Sequence, residues 1–269
     1  MSSRAESGPG EVLSDVAPST TEFLAAVAAR QLVGRHRVFA GVGLPTLAVE
    51  LARRTTNPDV ELVYESGICG ARPEGLAEGI ADSVLVSGAA AALGMPALFG
   101  YVLQGGHVDV GFLGAAQVDR WGSLNTSFIG DWDEPTVRLP GASGAAEIMP
   151  NAAECIVVLR RHDPGSLPAQ LDFCTSPSPA RAHAEDPRMV PPGHGVSTVI
   201  TPMAVLHRPD KLGELVISEV HPGHTAEEVR EATGWNIPVA DDVRETRRPT
   251  AEEVRLLREE IDTVRLYLR

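Results

Sequence analysis

The chain has 269 residues, 43% apolar and 22% charged, the balance of an ordinary globular protein of one large domain or two small ones. A chain of this length buries about 70–75% of the surface it exposes when unfolded, so its core needs no disulfide staples. Acidic residues outnumber basic ones 36 to 23, a formal charge of −13, which argues against nucleic acid or an anionic membrane as a partner because phosphate binding needs clustered Lys and Arg.

Residues 1–18 contain Ser, Glu and Pro without an apolar run, so they read as a flexible tail and not as a secretory signal. Ser19-Thr20-Thr21-Glu22 forms a capping-box pattern, and Phe23, Leu24, Val27, Ala28 and Leu32 continue it at helical spacing to about residue 33. A short buried strand is expected over 37–40. The turn Gly41-Val42-Gly43 follows, then a helix whose first turn accommodates Pro45. Residues 60–64 form the next expected strand, ending at Glu65-Ser66-Gly67. The small-apolar run over 88–98 is well short of the ~18–20 residues that span a bilayer. Further strands are expected over 108–112 and 155–159, and closely spaced strands over 196–206 and 215–220. Helices are expected over 225–232 and 250–268, and the Pro-rich stretch 174–192 reads as a loop.

Strands alternating with helices imply an α/β fold: an open, mostly parallel sheet with helices on both faces, and a small antiparallel layer near the C-terminal third. The hydrophobic pattern continues on both sides of the Pro-rich loop, so residues 19–269 read as one domain. Cys69, Cys155 and Cys174 are an odd number with no CxxC pair, which suits reduced thiols and a cytoplasmic protein.

In open parallel sheets ligands bind beyond the carboxyl ends of the strands, and three turns lie at such ends, at Gly41, Glu65 and Gly114. Gly41-Val42-Gly43 lacks the third glycine of a dinucleotide fingerprint and reads alone as a tight strand-to-helix turn. Glu65 directly follows a strand between apolar Tyr64 and Ile68-Cys69. A carboxylate partly desolvated there suits a nucleophile or base, the bland alternative being a solvated loop glutamate. The eight histidines form no HExxH pattern, and His221-Pro222-Gly223-His224 reads as a turn into a helix instead of a metal site. Gly141-Ala142-Ser143-Gly144-Ala145 is not a GxSxG elbow, and Cys69 has no basic neighbour to activate it.

Taken together and in order, these segments resemble the second (B, or β) subunit of the family I CoA-transferases, over about residues 20–265. Tyr64-Glu65-Ser66-Gly67-Ile68-Cys69-Gly70 is similar to the family's Ser-Glu-Asn-Gly signature. Gly41-Val42-Gly43-Leu44-Pro45 resembles the glycine turn before it. Gly114-Ala115-Ala116-Gln117-Val118-Asp119-Arg120-Trp121-Gly122-Ser123-Leu124-Asn125 resembles its Gly-Ala-x-Gln-Val-Asp-x-x-Gly-x-x-Asn stretch. Pro140-Gly141-Ala142-Ser143-Gly144-Ala145-Ala146 resembles its glycine-rich turn. Val199-Ile200-Thr201 and Glu219-Val220-His221-Pro222-Gly223 match later blocks, and Arg248-Pro249-Thr250-Ala251-Glu252-Glu253 is similar to the glutaconate CoA-transferase branch.

The resemblance implies that Glu65 is the catalytic carboxylate, working through a mixed anhydride and a glutamyl-CoA thioester. It implies that the turn through Gly141 and Gly144 supplies the oxyanion-binding amides. Gln117 and Asn125 are implied as substrate-orienting amides, or as turn caps, and Gly41, Gly43, Ser66 and Gly67 line the substrate and CoA site. Coenzyme A enters as a substrate, with no permanently bound cofactor and no metal. Ser66, Ser143, Glu147 and Thr201-Pro202-Met203-Ala204 depart from the family pattern and are expected to retune the acyl pocket. The chain lacks the Gly-Gly-Phe-x-x-x-Gly-x-Pro segment of the family's first (α) half, so a separate α subunit and an (αβ)n assembly are implied. Acyl-CoA and carboxylic acids are the implied substrates. The alternatives are a ring-opening CoA-thioester hydrolase on the same fold, or a non-catalytic subunit that binds CoA or a metabolite.

Overall fold

Ser19 and Glu22 satisfy each other's backbone amides in a complete capping box, and from there α1 (Thr20–Arg30) runs three turns. The computed structural model describes residues 17–268, so the tail expected over 1–18 lies outside the described residues except for Ala17 and Pro18. β1 (Arg37–Ala40) leads through the Gly41–Gly43 turn into α2 (Leu44–Arg54), where Pro45 occupies the first turn. β2 (Glu61–Val63) and β3 (Ile68–Cys69) form a hairpin, and β4 (Ala91–Ala92) pairs beside them. α3 (Met95–Ala97) continues as a π-helical segment, Leu98–Leu103.

β5 (Val110–Leu113) is followed by two small antiparallel pairs. These are β6 (Gln117–Val118) with β7 (Leu124–Asn125), and β8 (Phe128–Gly130) with β9 (Pro135–Arg138). Then come α4 (Ala145–Asn151), β10 (Glu154–Val158), α5 (Pro179–Glu185), β11 (Val196–Ile200), β12 (Ala204–His207) and β13 (Val216–Val220). α6 (Ala226–Glu231), β14 (Val239–Glu245) and α7 (Ala251–Leu256) complete the order, α7 extending as a π-helical turn through Leu257–Ile261.

Ten strands make one sheet, in the order β14-β13-β12-β11-β10-β5-β1-β2-β3-β4. Its middle, β2-β1-β5-β10-β11, is parallel throughout. The antiparallel pairings expected in the C-terminal third are β11–β12 and β12–β13, and they extend this same sheet. Side chains alternate across each strand, and the alternation divides the core in two. Val38, Ala40, Leu62, Phe112 and Ile156 pack with α1, α2 and α7 on one face, whereas Phe39, Val63, Leu113 and Val157 pack with α4 and the 98–103 segment on the other.

Two ion pairs close the first face. Arg258 holds Glu22 at 2.6 Å and Arg30 holds Glu253 at 2.6 Å, tying α1 to the C-terminal helix. Burial disfavours the ionised Glu22, but the Arg258 guanidinium and the Ser19 amide outweigh it and hold its carboxyl below the usual range.

Three expectations need correction. The last helix ends at Ile261, not at residue 268, because the Asp262 carboxylate accepts the amides of Leu266, Tyr267 and Leu268 and offers the backbone an alternative to helix. The Pro-rich stretch is not all loop. Ser178 caps the helix α5, and Pro179 sits in its first turn, where its missing N–H costs nothing. The edge strand β14 is absent from the sequence-based expectation because its residues are mostly exposed and charged, without the alternation of a half-buried strand.

His221 is buried between Thr201 and Thr246, and His162 is half-buried between Thr201 and Thr233. His162 Nδ1 is 2.7 Å from Thr201 Oγ1, and His221 Nε2 donates to the Thr201 carbonyl at 2.8 Å. Burial lowers the pKa of each to about 4. Their unfolded-state pKa is about 6.5, so between pH 6.5 and about 4 the unfolded chain binds more protons and stability falls with falling pH. In urea unfolding followed against pH, these two histidines should together add up to about two protons to the slope in that window. His221→Asn should remove about one of them, and a slope unchanged by that substitution contradicts the assignment.

Candidate active site

Glu65 stands at the tip of the β2–β3 turn. Gly67 N–H donates to the Tyr64 carbonyl at 2.9 Å, and Tyr64 N–H donates to the Ile68 carbonyl at 2.9 Å, so the turn is closed from both ends. Two constraints demand glycine at 67. Its φ is +97°, and a Cβ there would lie 1.9 Å from the carbonyl oxygen of Leu93, the residue that follows β4. Tyr64, fully buried, fixes the entry to the turn, while Glu65 is half-buried and Ser66 is exposed.

The glycine-rich turn arrives from 78 residues further on. α4 lies close against β5 because position 111 has no side chain: a Cβ on Gly111 would lie 2.3 Å from Ile148 Cγ2. That docking carries the start of α4 to the turn. Ser143 Oγ lies 3.1 Å from each carboxylate oxygen of Glu65. A Cβ on Gly144 would come within 3.3 Å of the Glu65 carboxylate and of Phe99, so only hydrogen faces the carboxylate there. Among the described residues, the N–H groups of Ala142, Ser143 and Gly144 have no hydrogen-bond partner, whereas the Gly141 N–H donates to the Thr126 carbonyl at 2.8 Å. On this turn the amides at 142, 143 and 144 are therefore uncommitted, and the one at 141 is taken.

These elements open onto a cleft of about 480 Å³ beyond the carboxyl ends of β1, β2 and β5. Gly41, Gly114, Gly141 and Gly144 line it together with Glu65, as the sequence pattern predicts. Its remaining walls are largely apolar, including Phe39, Phe112, Leu113, Leu139 and Ile148. Glu65, Thr126 and Ser143 are the only polar side chains among the lining residues, and none is basic. The Thr126 hydroxyl is buried and without a hydrogen-bond partner. Sequence reasoning does not single out Thr126, and it takes Ser143 only as a variation in the turn.

The other predicted residues lie outside the lining. Gly43, at φ +104°, caps α2, and Ser66 lies outside the cleft at the exposed side of its turn. Gln117 and Asn125 are buried and bonded to each other, Asn125 Nδ2 donating to Gln117 Oε1 at 2.8 Å and to the Phe128 carbonyl at 2.7 Å. They pin β6 to β7 and so fix Ala115, Ala116 and Thr126 in the cleft wall. Burial, aided by nearby Glu61, pushes the Cys69 thiol up, which opposes a thiolate nucleophile beside Glu65. His221 has both ring nitrogens engaged by Thr201 and Thr246.

Residues 22–232 match the family model described as coenzyme A transferase. The chain is 42% identical over 240 residues to the B-type chain of the 3-oxoadipate CoA-transferase of Pseudomonas knackmussii, spanning 89% of this chain and 92% of that protein. It is 29% identical over 239 residues to the IpdB subunit of the cholesterol ring-cleaving hydrolase of Rhodococcus jostii, spanning 84% and 88%. Its fold superposes on glutaconate coenzyme A-transferase of Acidaminococcus fermentans with a TM-score of 0.85 at 25% identity, covering 93% of this chain and 97% of that one.

The geometry of the turn makes a direct prediction. Gly67→Ala forces a side chain into the Leu93 carbonyl at a left-handed φ, and should destabilise the chain by at least about 2 kcal/mol while displacing Glu65. Denaturant unfolding measures the first effect. An unchanged midpoint would mean that the turn tolerates a side chain there and does not fix Glu65.

Proposed function

The chain belongs to the coenzyme A transferase family, and on that premise we propose that it is the β subunit of a heteromeric enzyme that exchanges CoA between an acyl-CoA and a carboxylic acid, with Glu65 as the acyl acceptor. The observation that carries this reading is one carboxylate fixed by a glycine-closed turn, with a hydroxyl at 3.1 Å and a close glycine from a second turn whose amides at 142–144 are uncommitted among the described residues. A nucleophile needs a fixed position, and a tetrahedral intermediate needs donors already aimed at its oxyanion.

The reaction follows from the groups present. Glu65 attacks the thioester carbonyl, and CoA thiolate leaves a mixed anhydride. The thiolate then attacks Cδ of Glu65, expelling the donor acid and leaving a glutamyl-CoA thioester. An acceptor carboxylate attacks the same Cδ and expels the thiolate, which attacks the acceptor's acyl carbon to give the new acyl-CoA and restore Glu65. Each step exchanges one acyl bond for another, and the overall change swaps one thioester for another of similar energy, so no ATP is consumed. The apolar cleft walls keep water from the anhydride.

The 42% identity to a 3-oxoadipate CoA-transferase chain supports a 3-oxo or dicarboxylic acid as one substrate. The cleft offers no Lys or Arg to a second carboxylate or to the phosphates of CoA. That lack supports a site completed by an α-type partner, in an (αβ)n assembly. Hydrolysis is the second reading, favoured by the similarity to the IpdB subunit. It needs no acceptor acid and leaves no thioester on the protein.

The test uses the chain co-purified with its α-type partner, a panel of acetyl-, succinyl- and glutaconyl-CoA, and no acceptor. Borohydride reduction followed by peptide mass spectrometry should modify Glu65 alone. Glu65→Gln should abolish labelling and lower transfer by at least about 10⁴-fold. Steady release of free CoA with Glu65 unmodified would replace transfer by hydrolysis.

A further inference from the structure

Ser143 is held where few residues other than glycine settle. Its φ is +45°, and only it and Arg265 take a positive φ among the non-glycine residues described. Glycine would fit this backbone without strain, so a serine here calls for a physical reason. Its hydroxyl supplies one, reaching both carboxylate oxygens of Glu65 at equal distance. Nothing else with a side-chain hydrogen bond to Glu65 occurs among the described residues.

We propose that the Ser143 hydroxyl is a catalytic oxyanion donor, serving the tetrahedral intermediates that form at Cδ of Glu65. This rests on the reading of Glu65 as the acyl acceptor. The donor is well placed for the purpose. At 3.1 Å to each oxygen its contact with the resting carboxylate is long for an O–H···O bond and divided between two acceptors. When thiolate attacks Cδ of the anhydride, one Glu65 oxygen bridges to the donor acid and departs with it, and the other becomes the oxyanion. When the acceptor carboxylate attacks Cδ of the thioester, sulfur departs and the one oxygen Glu65 has kept becomes the oxyanion. The hydroxyl then has a single, more negative acceptor and shortens toward it. Because it is equidistant, either oxygen can take either role. Ser143 keeps its proton throughout; only the hydrogen bond strengthens, and it does so in the transition state more than in the ground state. The amides at 143 and 144 lie on the same turn and have no other partner among the described residues.

Two substitutions separate this from a structural role. Ser143→Ala removes the hydroxyl and keeps the Cβ. Ser143→Gly removes both and releases the strained φ, so its melting temperature should equal or exceed that of the unchanged chain. In the complex with the α-type partner, with succinyl-CoA and 3-oxoadipate as probes, both variants should lose about 10²-fold in kcat. KM for the acyl-CoA should change little, and Glu65 should still be trapped by borohydride, more slowly. If Ser143 merely shaped the turn, Ser143→Gly would turn over as fast as the unchanged enzyme. A kcat retained by either variant, with Glu65 still trapped, overturns the proposal and leaves the transferase reading standing. No trapping of Glu65 in the unchanged enzyme overturns the transferase reading and this proposal with it.

Discussion

The backbone carbonyl of Leu93 occupies the space where any side chain at position 67 would go, and the placement of Glu65 follows from that constraint. With no side chain at 67, the β2–β3 turn closes in two hydrogen bonds and presents the carboxylate beyond the sheet. A second close approach, the β5 backbone at Gly111 against Ile148, seats α4 and brings Ser143 and Gly144 to the same carboxylate. Distant segments thus meet because two glycines remove the atoms that would hold them apart. The large sheet fixes where those segments start, since β2 and β5 lie on either side of β1 in its parallel centre.

Much of this is legible in the sequence. The capping residues Ser19 and Glu22, Pro45 in the first turn of α2, and the apolar runs of the central strands are local signals, and local physics decides them. Glu65 and the Gly141–Gly144 turn are legible as an ordered set of motifs, although neither segment alone is decisive. What escapes such reading is decided by tertiary contacts. Asp262 ends the last helix by accepting three amides downstream, β14 is an exposed edge without apolar alternation, and Pro179 begins a helix inside a stretch that composition marks as loop.

The same distinction applies to the site. Gln117 and Asn125 carry the amide groups that binding sites use, yet Gln117 Oε1 and both polar atoms of Asn125 are engaged by each other and by the backbone. Gly141 has the backbone of an oxyanion turn, but its amide is committed to Thr126. Residue type draws the eye to these positions, and the hydrogen bonds they make hold the cleft wall in place. Ser143 is the converse. In sequence it is a departure from a glycine pattern, and in space it is the side chain bonded to the carboxylate on which the proposed reaction turns. The apolar, base-free lining of the cleft fits a half-site whose charged substrate groups are met by a partner subunit.

The central claim is that Glu65 itself exchanges oxygen with the substrates, and isotope transfer tests it most directly. The assembled complex would be turned over with an acyl-CoA and an acceptor acid whose carboxylate carries heavy oxygen, and the Glu65 peptide would then be weighed. Each turnover through the anhydride returns Glu65 with one bridging oxygen from the acceptor, so the peptide should gain label and Glu65 alone should hold it. An unlabelled Glu65 peptide recovered after many turnovers would contradict the account.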